Sequence, residues 1–267
     1  MKRHSIAVVL LLVSILLLIA CRAVHKSPAT PFVSPVYTVS PSTAESLLTP
    51  RQALEAMYGS EALSISDTEA LLNAPVPSRT TAVHINLMAC YWEEHAEKCL
   101  VITDSVFDNC HACKADIGGA VFRRANGTWQ LAVFQPKIIS LGSFGYVPKG
   151  ELIQIGPDKH AALIRSGWAG QGYEGQYATI VAEIDGSFQV VLNLLISEMQ
   201  ETFAKDGTAS LEWGYGSKME FFAGKHPDFY DLVVTQYGIN KEGNKFKTVR
   251  FYAFSDANCK YMLVRQR

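Results

Sequence analysis

The chain has 267 residues, 48% of them hydrophobic, with 24 Lys and Arg against 25 Asp and Glu. A near-neutral balance without a basic stripe speaks against nucleic acid as a partner, and the apolar share is ample for one substantial core. Met1-Lys2-Arg3-His4 makes a short basic start, and Ile6 to Ile19 is an apolar run broken only by Ser14. A charged start followed by a short greasy segment has the form of an export signal. A membrane-crossing helix would need about 20 apolar residues.

Leu18-Ile19-Ala20-Cys21 closes the segment with an aliphatic, a permissive and a small residue before a cysteine. This tetrad resembles the lipobox of bacterial lipoproteins. The resemblance covers only the first 21 residues. It implies that residues 1–20 are removed, that the Cys21 thiol carries a diacylglyceryl group, and that the new amino terminus is acylated. Several acyl chains hold a protein stably on a bilayer where one holds it marginally. Arg22 rather than Asp follows the cysteine, which in a two-membrane host implies the outer membrane, with the domain facing the periplasm. The alternative is a short membrane anchor that ends in Ala-Cys. The 24 basic residues less Lys2 and Arg3 leave 22 against 25 acidic ones, a net charge of about −3 after processing.

From Cys21 to Pro50 the chain reads as a tether, with Pro28, Pro31, Pro35, Pro41 and Pro50 among many Ser and Thr. Proline removes donors and favours extended backbone, so the segment is a semi-rigid spacer. Short helices are expected over 51–78. Thr49-Pro50-Arg51 gives a hydroxyl N-cap with Pro at the first helical position, with Ala53, Leu54, Met57 and Tyr58 on one face and Gly59 at the end. A second helix is expected over Asp67 to Asn73, before Pro75, and the two would form a collar on the sheet.

From Thr80 onward, β-branched and aromatic runs alternate with Gly, Asn and Asp. Thirteen strands are expected: Ala82–Trp92, Lys98–Thr103, Ile117–Arg124, Thr128–Phe134, Leu152–Ile155, Ala161–Arg165, Tyr177–Ile184, Phe188–Leu194, Leu211–Trp213, Met219–Phe222, Leu232–Gln236, Phe246–Phe254 and Lys260–Val264. With no long helical period between them, 79–267 is expected to be a mainly β domain of antiparallel meanders. Asn126-Gly127 and Asp185-Gly186 are the strongest hairpin signals, because type I′ turns need positive φ at both central residues. A weak threefold repeat of hairpins starts near 98, 161 and 230, with Leu100, Leu163 and Leu232 in register. Such units suit propeller blades or layers of a β-sandwich.

Besides Cys21 the chain has Cys90, Cys99, Cys110, Cys113 and Cys259, and export would make disulfides reasonable. With Glu93-Glu94-His95-Ala96 as a four-residue hairpin loop, Trp92 faces Glu97, Tyr91 faces Lys98 and Cys90 faces Cys99. Directly opposed Cβ atoms lie about 4.5–5.5 Å apart, close to the separation a disulfide requires. Cys110-His111-Ala112-Cys113 has four readings. Haem attachment fails because Lys114 stands where His is needed. A redox pair wants a helix after the motif, and here a glycine-containing strand follows. A metal site would draw on His111 with Cys99 or His95, without a second motif in support. A small disulfide loop is the plainest reading, and Cys259 is left over as a thiol.

If the repeat holds, this loop shares a sheet edge with Trp168-Ala169-Gly170-Gln171-Gly172-Tyr173 and Tyr237-Gly238-Ile239. His111, Trp168, Gln171, Tyr173 and Tyr237 would then gather as a binding surface suited to sugars or extended peptides. The alternative is that Trp168 and Tyr173 merely cap an open end of the core. Gly170-Gln171-Gly172-Tyr173-Glu174-Gly175 spells a dinucleotide fingerprint, but a strand follows where the phosphate needs a helix N-terminus, so no nucleotide is expected. No GxSxG or HExxH motif occurs. Glu93 and Glu94 read as a solvated turn, His84 as a satisfied half-buried residue, and Lys114, Arg123 and Arg124 as solvent-facing. The sequence points to a non-enzymatic envelope module, without cofactor or metal, that binds a protein, peptide or glycan. The alternative is a thiol-redox or metal-dependent enzyme built on Cys110, His111 and Cys113.

Overall fold

Thr49 opens α1, Pro50–Tyr58, with a reciprocal cap: its hydroxyl accepts the Gln52 N–H (3.2 Å) and its own N–H donates to Gln52 Oε1 (2.9 Å). The computed structural model describes residues 47–73, 80–106, 110–203 and 209–267. The leader, Cys21 and most of the tether lie outside the described residues. Ala53, Leu54, Met57 and Tyr58 form the buried face of α1, as its spacing predicts.

The second expected helix is instead a strand. β1, Ala62–Ile65, and β2, Glu69–Asn73, form a hairpin. Ser66 closes it, with its N–H donating to Glu69 O (2.8 Å) and its hydroxyl accepting the Glu69 N–H (3.1 Å). Seven residues are too few to hold a helix unaided. Pairing of β2 along β3, with Glu69 opposite His84, satisfies the same backbone.

β3 (Thr80–Glu93), β4 (Ala96–Val106), β5 (Ala115–Ala125) and β6 (Thr128–Leu141) complete a six-stranded sheet in sequence order. A second sheet has eight strands, also in sequence order: β7 (Glu151–Gly156), β8 (Lys159–Gly170), β9 (Tyr173–Ile184), β10 (Ser187–Phe203), β11 (Ala209–Phe222), β12 (Asp231–Ile239), β13 (Lys245–Ser255) and β14 (Lys260–Gln266). The chain is thus mainly β, with all pairings antiparallel. Leu211–Trp213 and Met219–Phe222, expected as separate strands, belong to the single strand β11. Gly214-Tyr215-Gly216 continues its pairing with β12. A Cβ at Gly214 would come within 2.8 Å of Met199 Cβ, so glycine there permits close approach to β10.

The three recurrent units are three-stranded meanders, β4–β6, β8–β10 and β12–β14. They are not propeller blades, because the second and third share one continuous sheet. The sheets instead stack. Leu100, Ile102, Ile117 and Val121 of the first pack on Ala162, Ile164, Val181 and Phe188 of the second. Cys99, Val101, Ala120 and Phe122 pack with α1 on the other side. Leu163, Ile180 and Ala182 of β8 and β9 join Leu232, Val234, Tyr252, Phe254 and Tyr261 in a third cluster, over which the second sheet curls. Each such Leu, Ile, Val or Phe side chain contributes about 1.5–3 kcal/mol by burial. A bulge at Asn86 turns its amide toward the passage between sheets. There Asn86 Oδ1 accepts the Gly150 N–H (2.8 Å) and Nδ2 donates to Pro148 O (3.2 Å).

One end of the sandwich is closed by charge. Glu93 faces Ala96, so the β3–β4 turn has two central residues, Glu94 (φ 53) and His95 (φ 61), rather than the expected four-residue loop. Glu93 is not a solvated turn residue: its side chain is 5% exposed and meets the 2% exposed Lys98 at 2.6 Å. The second Glu93 oxygen accepts the His160 N–H at the start of β8 (3.0 Å). Glu94 holds Lys98 (3.1 Å) and Lys159 (2.9 Å), tying the turn to the other sheet. These bonds offset the cost of positive φ at a residue other than glycine.

Replacing Glu93 with Gln leaves the Lys98 ammonium buried beside only the half-exposed Glu94. A loss of about 3 kcal/mol is expected for such an uncompensated charge, measured as a lower urea midpoint at pH 7. Lys159 and Lys98 hold the Glu94 carboxyl down to about 2, from an ordinary 4.5. A depressed carboxylate stabilises the fold above its unfolded pKa and loses that contribution as pH falls toward the folded one. Stability should therefore decline between about pH 4.5 and pH 2, and Glu94→Gln should flatten part of that slope.

Candidate binding cleft

The opposite end carries the CxxC loop. Cys110 and Cys113 are joined by a disulfide (S–S 2.13 Å), and Cys113 N–H donates to Cys110 O. Cys113 O accepts the Gly145 N–H (2.8 Å), which pins the loop to the passage between the sheets. His111 is exposed at its tip, and its ring meets Phe144 edge-on at 4.6 Å. A Cβ on Gly170 would lie 4.0 Å from His111 Nε2, so this loop and the β8–β9 hairpin do converge.

That hairpin turns at Gln171 (φ 56) and Gly172 (φ 76), the two positive values a type I′ turn needs. The fingerprint-like glycines therefore form a turn and the start of β9, with no helix. Trp168 lies opposite Gly175, and its ring stacks on Tyr173 at 5.0 Å. A Cβ on Gly175 would come within 2.8 Å of the indole, so glycine makes room for the ring. Tyr173 also meets Trp213 at 5.5 Å. Its hydroxyl donates to Glu198 Oε1 (2.5 Å), and the carboxylate pushes the phenol up to about 12. Trp213 Nε1–H donates to Gln200 Oε1 (3.0 Å), and the Lys241 ammonium sits 4.8 Å above its ring.

His111, Trp168 and Tyr173 are thus brought to one region, with Gln171 exposed at the turn tip. Tyr237 is not part of it. It pairs with Gly216, whereas Trp213 and Tyr215 alternate with Gly216 on β11, so Tyr237 projects from the opposite face of the sheet. One residue of offset along a strand reverses the side a residue faces. Glu198 and Gln200 escaped the sequence reading because β10 runs past its apolar segment, and Trp213 was read only as a strand residue.

Beside Trp168 a cleft of about 730 Å³ opens between the sheets, lined by His111, Lys114, Ser140, Ser166, Tyr177 and Asn193. A second hollow of about 480 Å³, with Phe144, Glu174 and Gln176, shares Ser143, Gly167, Trp168 and Ala169 with the first. Thr179 Oγ1 donates to Asn193 Oδ1 (3.2 Å). The Asn193 amide hydrogens, the Tyr177 hydroxyl and the Trp168 indole N–H have no partner among the described residues. A larger hollow of about 910 Å³ lies by Phe222, His226, Phe251, Phe254, Asp256 and Arg265, and the sequence reading missed it. Its histidine is already engaged. His226 Nδ1 accepts the N–H groups of Asp228 and Phe229, and Nε2 lies 3.0 Å from Asp256. The donors beside Trp168 remain open to a ligand, which makes that cleft the candidate site.

Cys90 and Cys99 stand directly opposite each other, as do Trp92 and Glu97, but both are thiols in this structure. The expected bridge is not made. Hydrogen bonding to Cys99 holds the exposed Cys90 thiol below its ordinary range, while that bond and burial push Cys99 up. Cys259 is a half-buried thiol against the third core cluster. His84 meets Glu69 at 3.3 Å. Arg124 pairs with Glu97 (2.9 Å) and is only part-exposed, while Lys114 and Arg123 face solvent. Among the described residues no group of three or more His, Cys, Asp or Glu is placed to hold a metal ion.

Gly175→Ala should displace the Trp168 ring. The expected result is altered near-ultraviolet circular dichroism from the Trp168–Tyr173 stack and a loss of about 1–3 kcal/mol in urea unfolding, the usual cost of overpacking.

No protein-family model matches this chain, and no curated protein and no solved structure matches it either.

Proposed function

We propose that this protein is a lipid-anchored, extracytoplasmic module of the bacterial cell envelope that binds its ligand in the cleft beside Trp168. The observation that carries the binding reading is the cleft itself. It joins an aromatic platform, more than a third exposed at Trp168 (37%), to several hydrogen-bond donors without partners among the described residues. Such convergence on a rigid two-sheet frame suits recognition. The anchor rests on Leu18-Ile19-Ala20-Cys21, and the proline-rich segment after it gives the domain reach from the bilayer.

A redox reading of Cys110 and Cys113 has less support. Cys113 runs directly into strand β5, so no helix N-terminus stands behind the pair to stabilise a thiolate. Exchange chemistry would therefore have to rely on the neighbouring His111 and Lys114.

The anchor is tested by expressing the full chain and its Cys21→Ala variant in a bacterial host. The native protein should partition with membranes, carry acyl chains by mass spectrometry and lack residues 1–20. The variant should lose the lipid and keep its leader. An unacylated native Cys21 would overturn the anchor.

A further inference from the structure

We infer that the cleft beside Trp168 takes a neutral, linear glycan, with one sugar packed on the exposed indole and adjoining units in the hollows to either side. This inference rests on the binding-module reading above and names the ligand class for the same site.

Shape comes first. The two hollows meet at Ser143, Gly167, Trp168 and Ala169, so they form one trough that crosses the indole. A trough of two connected lobes suits a chain better than a compact molecule. The C–H face of a pyranose is apolar and lies flat on an aromatic ring, while its hydroxyls point outward to polar neighbours. Tyr177 and Asn193 supply such neighbours, with a hydroxyl and an amide that are both uncharged.

Charge comes second. Among the described residues Lys114 is the one Lys or Arg that lines the trough, beside His111 at one end, and Glu174 stands at the other. The nearby Asp116 is occupied by Lys137 (2.8 Å) and Ser140 (2.5 Å). Among the described residues no paired cations converge there as a phosphate or carboxylate would require.

Peptide recognition by strand addition has a poor template here. β9 is paired on both sides, whereas β7 covers β8 only over Lys159–Leu163, and on the stretch beyond it the Ser143 hydroxyl already donates to Gly167 O (3.3 Å). The other nearby edge is β6, where pairing jumps from Ile117↔Ile139 to Gly119↔Gln135 and loops out Pro136, Lys137 and Ile138. Proline has no N–H, and an exposed lysine is a common guard on a strand edge. Only Ile139, Ser140 and Leu141 remain to pair before Gly142, too few for a stable added strand.

The test uses the full chain in detergent micelles and follows tryptophan emission and heat of binding. The probes are linear tetrasaccharides of glucose and of N-acetylglucosamine, in α and β linkage, and a panel of uncharged decapeptides. At least one tetrasaccharide should bind saturably, and its disaccharide should bind more weakly. Trp168→Ala should weaken the binding about tenfold or more, and Asn193→Ala should weaken it severalfold, while Trp92→Ala at the other end of the sandwich leaves it unchanged. Near-ultraviolet circular dichroism checks that each variant is folded, and Trp168→Phe should keep part of the affinity. If no tetrasaccharide binds but peptides do so through Trp168, the glycan inference falls and the binding module stands. If neither class binds, both fall.

Discussion

Strands β4 and β5 in the first sheet, and β8 and β9 in the second, are buried on both faces, and the rest of the molecule supplies the coverings they need. Leu100-Val101-Ile102 and Ala161-Ala162-Leu163-Ile164 are consecutive apolar residues, and on a strand consecutive side chains point opposite ways. Neither run can be satisfied by a single partner layer. α1 covers one side of the first sheet, the second sheet covers the other, and β12 to β14 curl round to cover the far side of β8 and β9. The sandwich is the arrangement that covers both faces of these four strands.

Much of this was legible, and the failures have specific causes. The cap at Thr49, the Asn126-Gly127 and Asp185-Gly186 hairpins and the Cys90–Cys99 register could be read because each is a local rule of backbone geometry. Asp67–Asn73 misled because Leu and Ala favour helices locally, while the free edge of β3 recruited the segment as a strand. The interior place of Lys98 was hidden for a related reason. A lysine reads as solvent-facing until Glu93 from the preceding strand is seen to meet it. Tyr237 was lost through one residue of register, which no composition reveals.

The two ends of the sandwich are chemically opposite. At one, Glu93, Glu94, Lys98, Lys159 and His160 satisfy each other and leave little for a ligand. At the other, the Cys110–Cys113 ring and the β8–β9 turn hold rings and uncharged donors around open space. A buried ion cluster adds less net stability than its attraction suggests, because desolvation opposes it, but it does select one mutual placement of the hairpins that share it. The Glu94–Lys159 and Glu93–His160 contacts join the two sheets at the charged end.

Within each sheet every strand pairs only with its neighbours along the chain. Such a meander closes short loops one after another, so the entropy lost at each step is small, and the sheets can assemble from the amino-terminal side as a chain emerges. Docking of the layers is a different event. Tyr261 in the last strand donates to Ile155 O across 106 residues, and Asn86 reaches the passage 64 residues later. The trough draws its lining from β6 of one sheet and β8 to β10 of the other, so it exists only where these distant layers meet.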